Sequence, residues 1–213
     1  MAAGRHEPSL HGRPGLENRA VRLPTSVSVR FTGMSDIPRA AGDKDLYELA
    51  EEIGRQLLES GWRVVTAESC TAGWIAKALT DVPGSSQWFE CGYVTYSNTA
   101  KMRDVGVSGR TLAEHGAVSE PTAREMANGA LRSAGVEMAI AVTGIAGPDG
   151  GTAAKPVGTV WFAVATVNAE GPAAVCEVRH FRGDRQQVRR QAVDHALRLA
   201  LQRVAAGVGG RDR

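Results

Sequence analysis

The chain has 213 residues and a mass of 22.5 kDa, room for one domain with a full core and some excess but not for two large domains. Apolar residues make up 43% and charged residues 23%, which excludes a disordered or fibrous protein for the bulk of the chain. With 25 Lys and Arg against 23 Asp and Glu, the formal charge of +2 gives no reason to expect nucleic acid or an anionic membrane as partner. Three cysteines, Cys70, Cys91 and Cys176, without a C-x-x-C pair, argue against a disulfide framework or a cysteine-rich zinc site and fit a reducing cytoplasm. No apolar run nears the ~18 residues that a membrane span needs, and no signal-peptide core stands near the start, so a soluble cytoplasmic protein is expected.

Residues 1–40 carry six arginines and four of the nine prolines without sustained periodicity, and read as a disordered, solvated extension. An organelle-targeting or RNA-touching arm, or a true start at Met34, are the other readings of this stretch. Residues 41–213 read as a single domain. Asp43 or Asp45 caps a helix with apolar Leu46, Leu49, Ala50, Ile53, Leu57 and Leu58 at helical spacing, stopped by Gly61, and Asp45 with Glu48 resembles a capping box. Arg63–Ala67 is a short strand. A second helix follows Glu68-Ser69-Cys70-Thr71 and ends before the Pro83-Gly84-Ser85-Ser86 turn. Phe89–Tyr96 reads as a strand, Ser119 and Pro121 open a helix, and Met138–Val142 is a strand that runs into a glycine-rich loop. Thr159–Val167 and Val175–Phe181 form an antiparallel pair around the turn at 168–172, and a long helix from about Asp184 carries apolar residues at helical spacing to Val204. This alternation predicts an α/β fold, a three-layer α/β/α sandwich whose late hairpin makes the sheet mixed.

Three loops hold the reactive and conformationally special residues. In Ala67-Glu68-Ser69-Cys70-Thr71-Ala72-Gly73, hydroxyl residues lead from a strand into a helix, where free N–H groups and the helix dipole suit an anion or oxyanion; Ser69 or Thr71 capping the helix is the simpler reading. Cys70 is a candidate thiol nucleophile without a supporting His or Asn pattern. In Val94–Lys101, one of only four lysines among 25 basic residues follows Tyr96, and a position where arginine would not serve suggests a base that loses its proton. A surface lysine and a core tyrosine are the plain alternatives. In Thr143–Thr152, glycines 144, 147, 150 and 151 allow backbone N–H groups to approach a phosphate or ribose, or simply make a tight turn. The loop is neither a dinucleotide nor a Walker motif, and the five histidines show no ligand spacing, so no cofactor and no metal site are expected.

Together the stretches AESCTAGWIAKALTDVPGSS, GYVTYSNTAKM, GVSGRTLAEHGAVSEPTAREMANGA, TGIAGPDGGTAAKPVGTVWFAVA and FRGDRQQVRRQA resemble the CinA C-terminal domain family, from about Asp45 to Leu201. The resemblance implies the α/β/α fold and metal-free hydrolysis of the carboxamide of nicotinamide mononucleotide to nicotinate mononucleotide and ammonia, as in the family's stand-alone nicotinamide-nucleotide amidohydrolases. It places the catalytic serine at Ser69 and the catalytic tyrosine and lysine at Tyr96 and Lys101. Cys70, Thr71, Gly73, Asn98, Thr143, Gly144, Ala146, Gly147 and Gly150 are then expected to bind substrate. One departure stands out: the family pattern reads ESCTGG, and Ala72 replaces the first glycine. An alanine is favourable there if it lies in the first helical turn and costly if the position needs positive φ. Ser69 is expected to attack the amide carbon with Tyr96 relaying the proton to Lys101, and the oxyanion to rest on N–H groups around Cys70 and Thr71. The resemblance also suggests a homodimer or larger homo-oligomer. A catalytically silent nucleotide-binding module and an amidase for another small carboxamide are the competing functional readings.

Overall fold

A computed structural model of the chain describes residues 44–168 and 171–208. The expected tail at 1–40, the cap at Asp43 and the tip of the late hairpin at 169–170 lie outside these residues. The described chain runs α1 (Lys44–Ser60), β1 (Val64–Glu68), α2 (Trp74–Thr80), β2 (Phe89–Val94), α3 (Asn98–Val105), α4 (Gly109–His115), α5 (Glu120–Ala134), β3 (Met138–Gly144), β4 (Thr159–Asn168), β5 (Gly171–His180) and α6 (Arg185–Val208). The five strands form one sheet in the order β2-β1-β3-β4-β5. β1 pairs in parallel with both β2 and β3, and β4 pairs antiparallel with β3 and β5. The sheet is mixed, as the alternation predicts.

The central strands are apolar without alternation because both their faces are covered. Every residue of β1 is buried, as are the first six of β3. On one face α1, α2 and α6 bury Ile53, Leu57, Ile75, Leu79, Val193, Leu197 and Val204 against Val64, Ile140 and Phe162. On the other, α5 buries Ala123, Met126, Ala127 and Ala130 against Val65, Ala139 and Ala163. Each large aliphatic side chain removed from water in this way contributes roughly 1.5–3 kcal/mol. Small residues on α5 let it lie close to its neighbours. A Cβ at Gly129 would stand 1.7 Å from the Val105 carbonyl oxygen at the end of α3, so only glycine fits.

Some boundaries differ from the sequence reading: β2 ends at Val94 and not at Tyr96, and β5 starts at Gly171 and not at Val175, so the late hairpin is longer than expected. Two more differ for local reasons. Asp45 does not cap α1; it lies inside the first turn, where its negative charge suits the helix N-terminus. α2 starts at Trp74, two residues later than the segment after Thr71 suggests, because Ala72 (φ 52) and Gly73 (φ 89) are both left-handed and hold the chain out of the helix. As expected from sequence, Ser119 caps α5 by accepting from the Thr122 N–H; Gly135 ends the helix in the left-handed region. The described helices include none long and apolar enough to cross a membrane.

The parallel strands β1, β2 and β3 all point their C-terminal ends to one edge of the sheet, and the three loops singled out above leave from those ends. This is the edge at which open α/β sheets collect binding sites, since successive crossovers leave a crevice there.

Candidate active site

Ser69 is the first residue beyond β1. Its N–H donates to the Val142 carbonyl at 2.9 Å, which continues the ladder with β3 and fixes the serine at the strand end. Behind it, the fully buried Glu68 turns its carboxylate onto the start of α2. It accepts from the N–H groups of Gly73 (3.0 Å), Ile75 (3.0 Å) and Ala76 (2.8 Å). The positive end of α2, which the sequence offers to a bound anion, is therefore taken by an internal carboxylate. Neither Ser69 nor Thr71 caps the helix. The turn between them leaves the N–H groups of Cys70 and Thr71 without a backbone carbonyl acceptor among the described residues.

Lys101 lies in the first turns of α3, a helix started by the Ser97 hydroxyl accepting from the Ala100 N–H at 3.0 Å. Helical geometry turns its side chain inward, and it is 1% exposed. Its Nζ stands 2.9 Å from Ser69 Oγ, 2.7 Å from the Thr95 carbonyl and 3.4 Å from the Tyr96 carbonyl. Two carbonyls can take two N–H bonds of an amine and leave its third direction to the serine hydroxyl. A neutral amine satisfies that set with its lone pair toward the Ser69 O–H. Burial lowers the Lys101 pKa from 10.5 to about 8, and the small opposing effect of the Cys70 thiol does not reverse it. No carboxylate pairs with Lys101 among the described residues.

Ser69, Cys70, Tyr96, Lys101, Thr143, Gly144 and Ala146 line one cleft of about 200 Å³, together with Ala117, Val118 and Arg185. The structure thus brings together the serine, tyrosine and lysine and four of the loop residues that the sequence singles out, Cys70, Thr143, Gly144 and Ala146. Tyr96 lines the cleft with its hydroxyl bonded to Arg185. Its side chain is 60% exposed and its hydroxyl accepts from Arg185 Nη2 at 3.0 Å, while serine and lysine touch directly. Cys70 is buried, and the loss of water pushes its thiol up to about 12, so it is a poor nucleophile.

The remaining expected substrate residues stand apart from the cleft. Thr71 is buried with its carbonyl turned to Arg189, and Gly73 lines a neighbouring cleft. Asn98 opens α3 on the surface, and Gly150 is exposed in the loop. Gly147 gives its carbonyl to Arg185 Nη1 at 2.9 Å. Thr143, inside the cleft, donates from Oγ1 to the Ala117 carbonyl at 2.8 Å, which ties the end of β3 to the segment that enters α5.

Glu68, Arg185 and Arg189 carry structural weight that the sequence reading did not assign. Arg189 donates from Nε to the Cys70 carbonyl (3.0 Å) and from Nη2 to the Thr71 carbonyl (2.9 Å), fixing the serine loop from α6. A glutamate closing an otherwise apolar strand, and the arginines of FRGDRQQVRR one helical turn apart, were the available signals. Among the described residues no group of three or more His, Cys, Asp or Glu side chains is placed to hold a metal ion.

The family profile of the CinA C-terminal domain matches residues 46–204. The nicotinamide-nucleotide amidohydrolase PncC of Escherichia coli (strain K12) is 54% identical over 160 residues, which cover 75% of this chain and 95% of that protein. The protein of the same name from Pseudomonas putida is 51% identical over 154 residues, covering 72% and 94%. A crystal structure of a competence-damaged protein (CinA) superfamily member from Klebsiella pneumoniae 700603 superposes with a TM-score of 0.71 at 39% identity, covering 76% of this chain and 98% of the other.

Proposed function

The chain belongs to the CinA C-terminal domain family, and from that premise we propose that it hydrolyses the carboxamide of nicotinamide mononucleotide to nicotinate mononucleotide and ammonia. The observation that carries the reading is the 2.9 Å contact between Ser69 Oγ and a buried Lys101 Nζ whose positive charge is disfavoured. A serine needs a base at hydrogen-bond distance, and a lysine needs desolvation to be one at neutral pH. Both conditions meet here.

In the proposed sequence Ser69 Oγ attacks the carboxamide carbon and its proton passes directly to Lys101 Nζ. The oxyanion forms against the Cys70 and Thr71 N–H groups, a type of contact worth about 3–4 kcal/mol of barrier. Lys101 then returns the proton to the departing nitrogen, so ammonia leaves and an acyl ester on Ser69 remains. Water attacks that ester, gives its proton to Lys101, and the carboxylate product leaves as the proton returns to Ser69. The cationic pyridinium ring beside Lys101 further favours the neutral amine. Arg185, at the cleft mouth and bonded to the Tyr96 hydroxyl and the Gly147 carbonyl, supplies a cation for the phosphate end of the nucleotide. In this reading Glu68 and Arg189 are positioning residues that hold the loop of Ser69.

The test is ammonia release from nicotinamide mononucleotide by the purified full chain beside Ser69→Ala. Turnover in the wild type and its loss by at least a thousandfold in the folded variant are expected. Turnover that survives in Ser69→Ala would remove the serine from the mechanism, and no turnover of the nucleotide in the wild type would overturn the substrate.

A further inference from the structure

Beside the cleft of Ser69 and Lys101 lies a second one, of about 400 Å³, lined by Ala72, Gly73, Trp74, Lys77 and Arg189. The two share no lining residue. We propose that this second cleft binds a further mononucleotide, one that is not the molecule being hydrolysed, and that Arg189 links its occupancy to the serine loop.

The argument starts from Arg189. Its guanidinium carbon lies 5.4 Å from the centre of the Trp74 ring, and its two hydrogen bonds go to the neutral carbonyls of Cys70 and Thr71. Among the described residues no carboxylate pairs with it, so its charge stays uncompensated on an open wall. Lys77, on the same wall, does pair with Asp81 at 2.6 Å, but both side chains are largely exposed (58% and 41%), where such a pair is worth little. The cleft therefore presents two cations, one of them a planar guanidinium that lies over the indole ring.

A phosphate alone would meet the charge and leave the stacking surface in water; a nucleoside alone would meet the surface and leave the charge. A purine or pyrimidine ring packed on the Trp74 indole, with its phosphate shared between Lys77 and Arg189, meets both. The link to the site follows from the same arginine. A phosphate that draws the guanidinium outward loosens its hold on the carbonyls of Cys70 and Thr71, the residues whose N–H groups face the oxyanion in the proposed reaction. Occupancy is then expected to lower kcat and leave KM little changed.

The probe is AMP, which carries a base and a phosphate but no carboxamide, titrated into the full chain by calorimetry. Saturable one-to-one binding is expected, weakened at least tenfold in Lys77→Met and in Trp74→Leu, with circular dichroism showing both variants folded. Absence of binding at millimolar AMP, or equal affinity in both variants, overturns the site. A second titration uses Ser69→Ala protein saturated with nicotinamide mononucleotide. Retained AMP binding supports a separate site, and loss of it shows that the cleft is an extension of the substrate's own. The AMP titration of the free chain is independent of the amidohydrolase reading, while the titration in the presence of nicotinamide mononucleotide and the kinetic arm rest on it. There a severalfold drop in kcat with AMP supports the link, while a purely competitive pattern or no effect refutes the link through Arg189.

Discussion

The free-base fraction of Lys101 sets the pH dependence of the proposed reaction. At its ordinary pKa of 10.5 about 0.03% of the amine would be neutral at pH 7, whereas at about 8 roughly a tenth is, a gain of about 300-fold in usable base. Measured as ammonia release at subsaturating nicotinamide mononucleotide, kcat/KM should rise close to tenfold per pH unit below 8 and level off above it. Lys101→Met should lose at least a thousandfold at every pH and lose the slope as well. The same burial has a cost in stability. Because the folded-state pKa lies below the unfolded one, the unfolded chain binds more protons between pH 8 and 10.5, so stability rises with pH through that window. The shift corresponds to about 3 kcal/mol of destabilisation below pH 8 at a side chain that is 1% exposed. Methionine relieves that penalty but leaves the Thr95 carbonyl without its donor, a loss of about 1–3 kcal/mol. Urea melts at pH 7 should thus find Lys101→Met as stable as the wild type or up to about 2 kcal/mol more stable, with the advantage gone by pH 10. A flat wild-type profile, or a variant several kcal/mol less stable at pH 7, would refute the reasoning.

Three further substitutions separate chemistry from architecture. Tyr96→Phe should keep turnover within about tenfold of the wild type, because serine and lysine touch without the phenol; a loss of a hundredfold or more would restore the relay. Ala72→Gly should stabilise the fold by about 0.5–1 kcal/mol, since a left-handed alanine at φ 52 costs about 1–2 kcal/mol and the glycine returns part of that as unfolded-chain entropy. A lowered melting temperature in Ala72→Gly would show that the methyl group makes contacts worth more than the strain. Gly129→Ala should destabilise by about 3 kcal/mol or more in a denaturant melt, since its Cβ would meet the Val105 carbonyl at 1.7 Å and α3 would have to move. As α3 carries Lys101, kcat should fall with it, and a variant with unchanged stability and turnover would mean that the two helices slide freely.

Most of the layer architecture could be read from periodicity because it depends on pattern summed over many residues. β1 is a short run rich in β-branched residues, β3 is apolar from Met138 to Val142, and α6 repeats its apolar positions from Val188 to Val204. The short helices α3 and α4 escaped, since seven or eight residues give too few turns for a period to emerge and their mean character is polar. The start of α2 was misread for another reason. Alanine is the best helix former by propensity, and only the glycine that the family pattern carries at this position points to the left-handed conformation that Ala72 adopts.

At the site, the residues legible in sequence were those whose chemical type is unusual for its place: a serine after a buried strand, and a lysine in a chain that prefers arginine. What could not be read was who satisfies whom. A helix N-terminus looks like an anion site from sequence because its N–H groups are unpaired within the helix itself, yet whether they stay unpaired depends on a carboxylate five to eight residues upstream. Glu68 takes three of them, and this changes how the proposed oxyanion can be stabilised. The charge of α2 is already balanced, so the two donors left at Cys70 and Thr71 must act through their placement. Their placement depends in turn on Arg189, more than a hundred residues away in sequence. The serine loop is held between an anion from β1 and a cation from α6, each spent on backbone groups. Such a loop can keep its donors fixed through a reaction in which charge appears and disappears beside Ser69, because neither partner has to reorganise when it does.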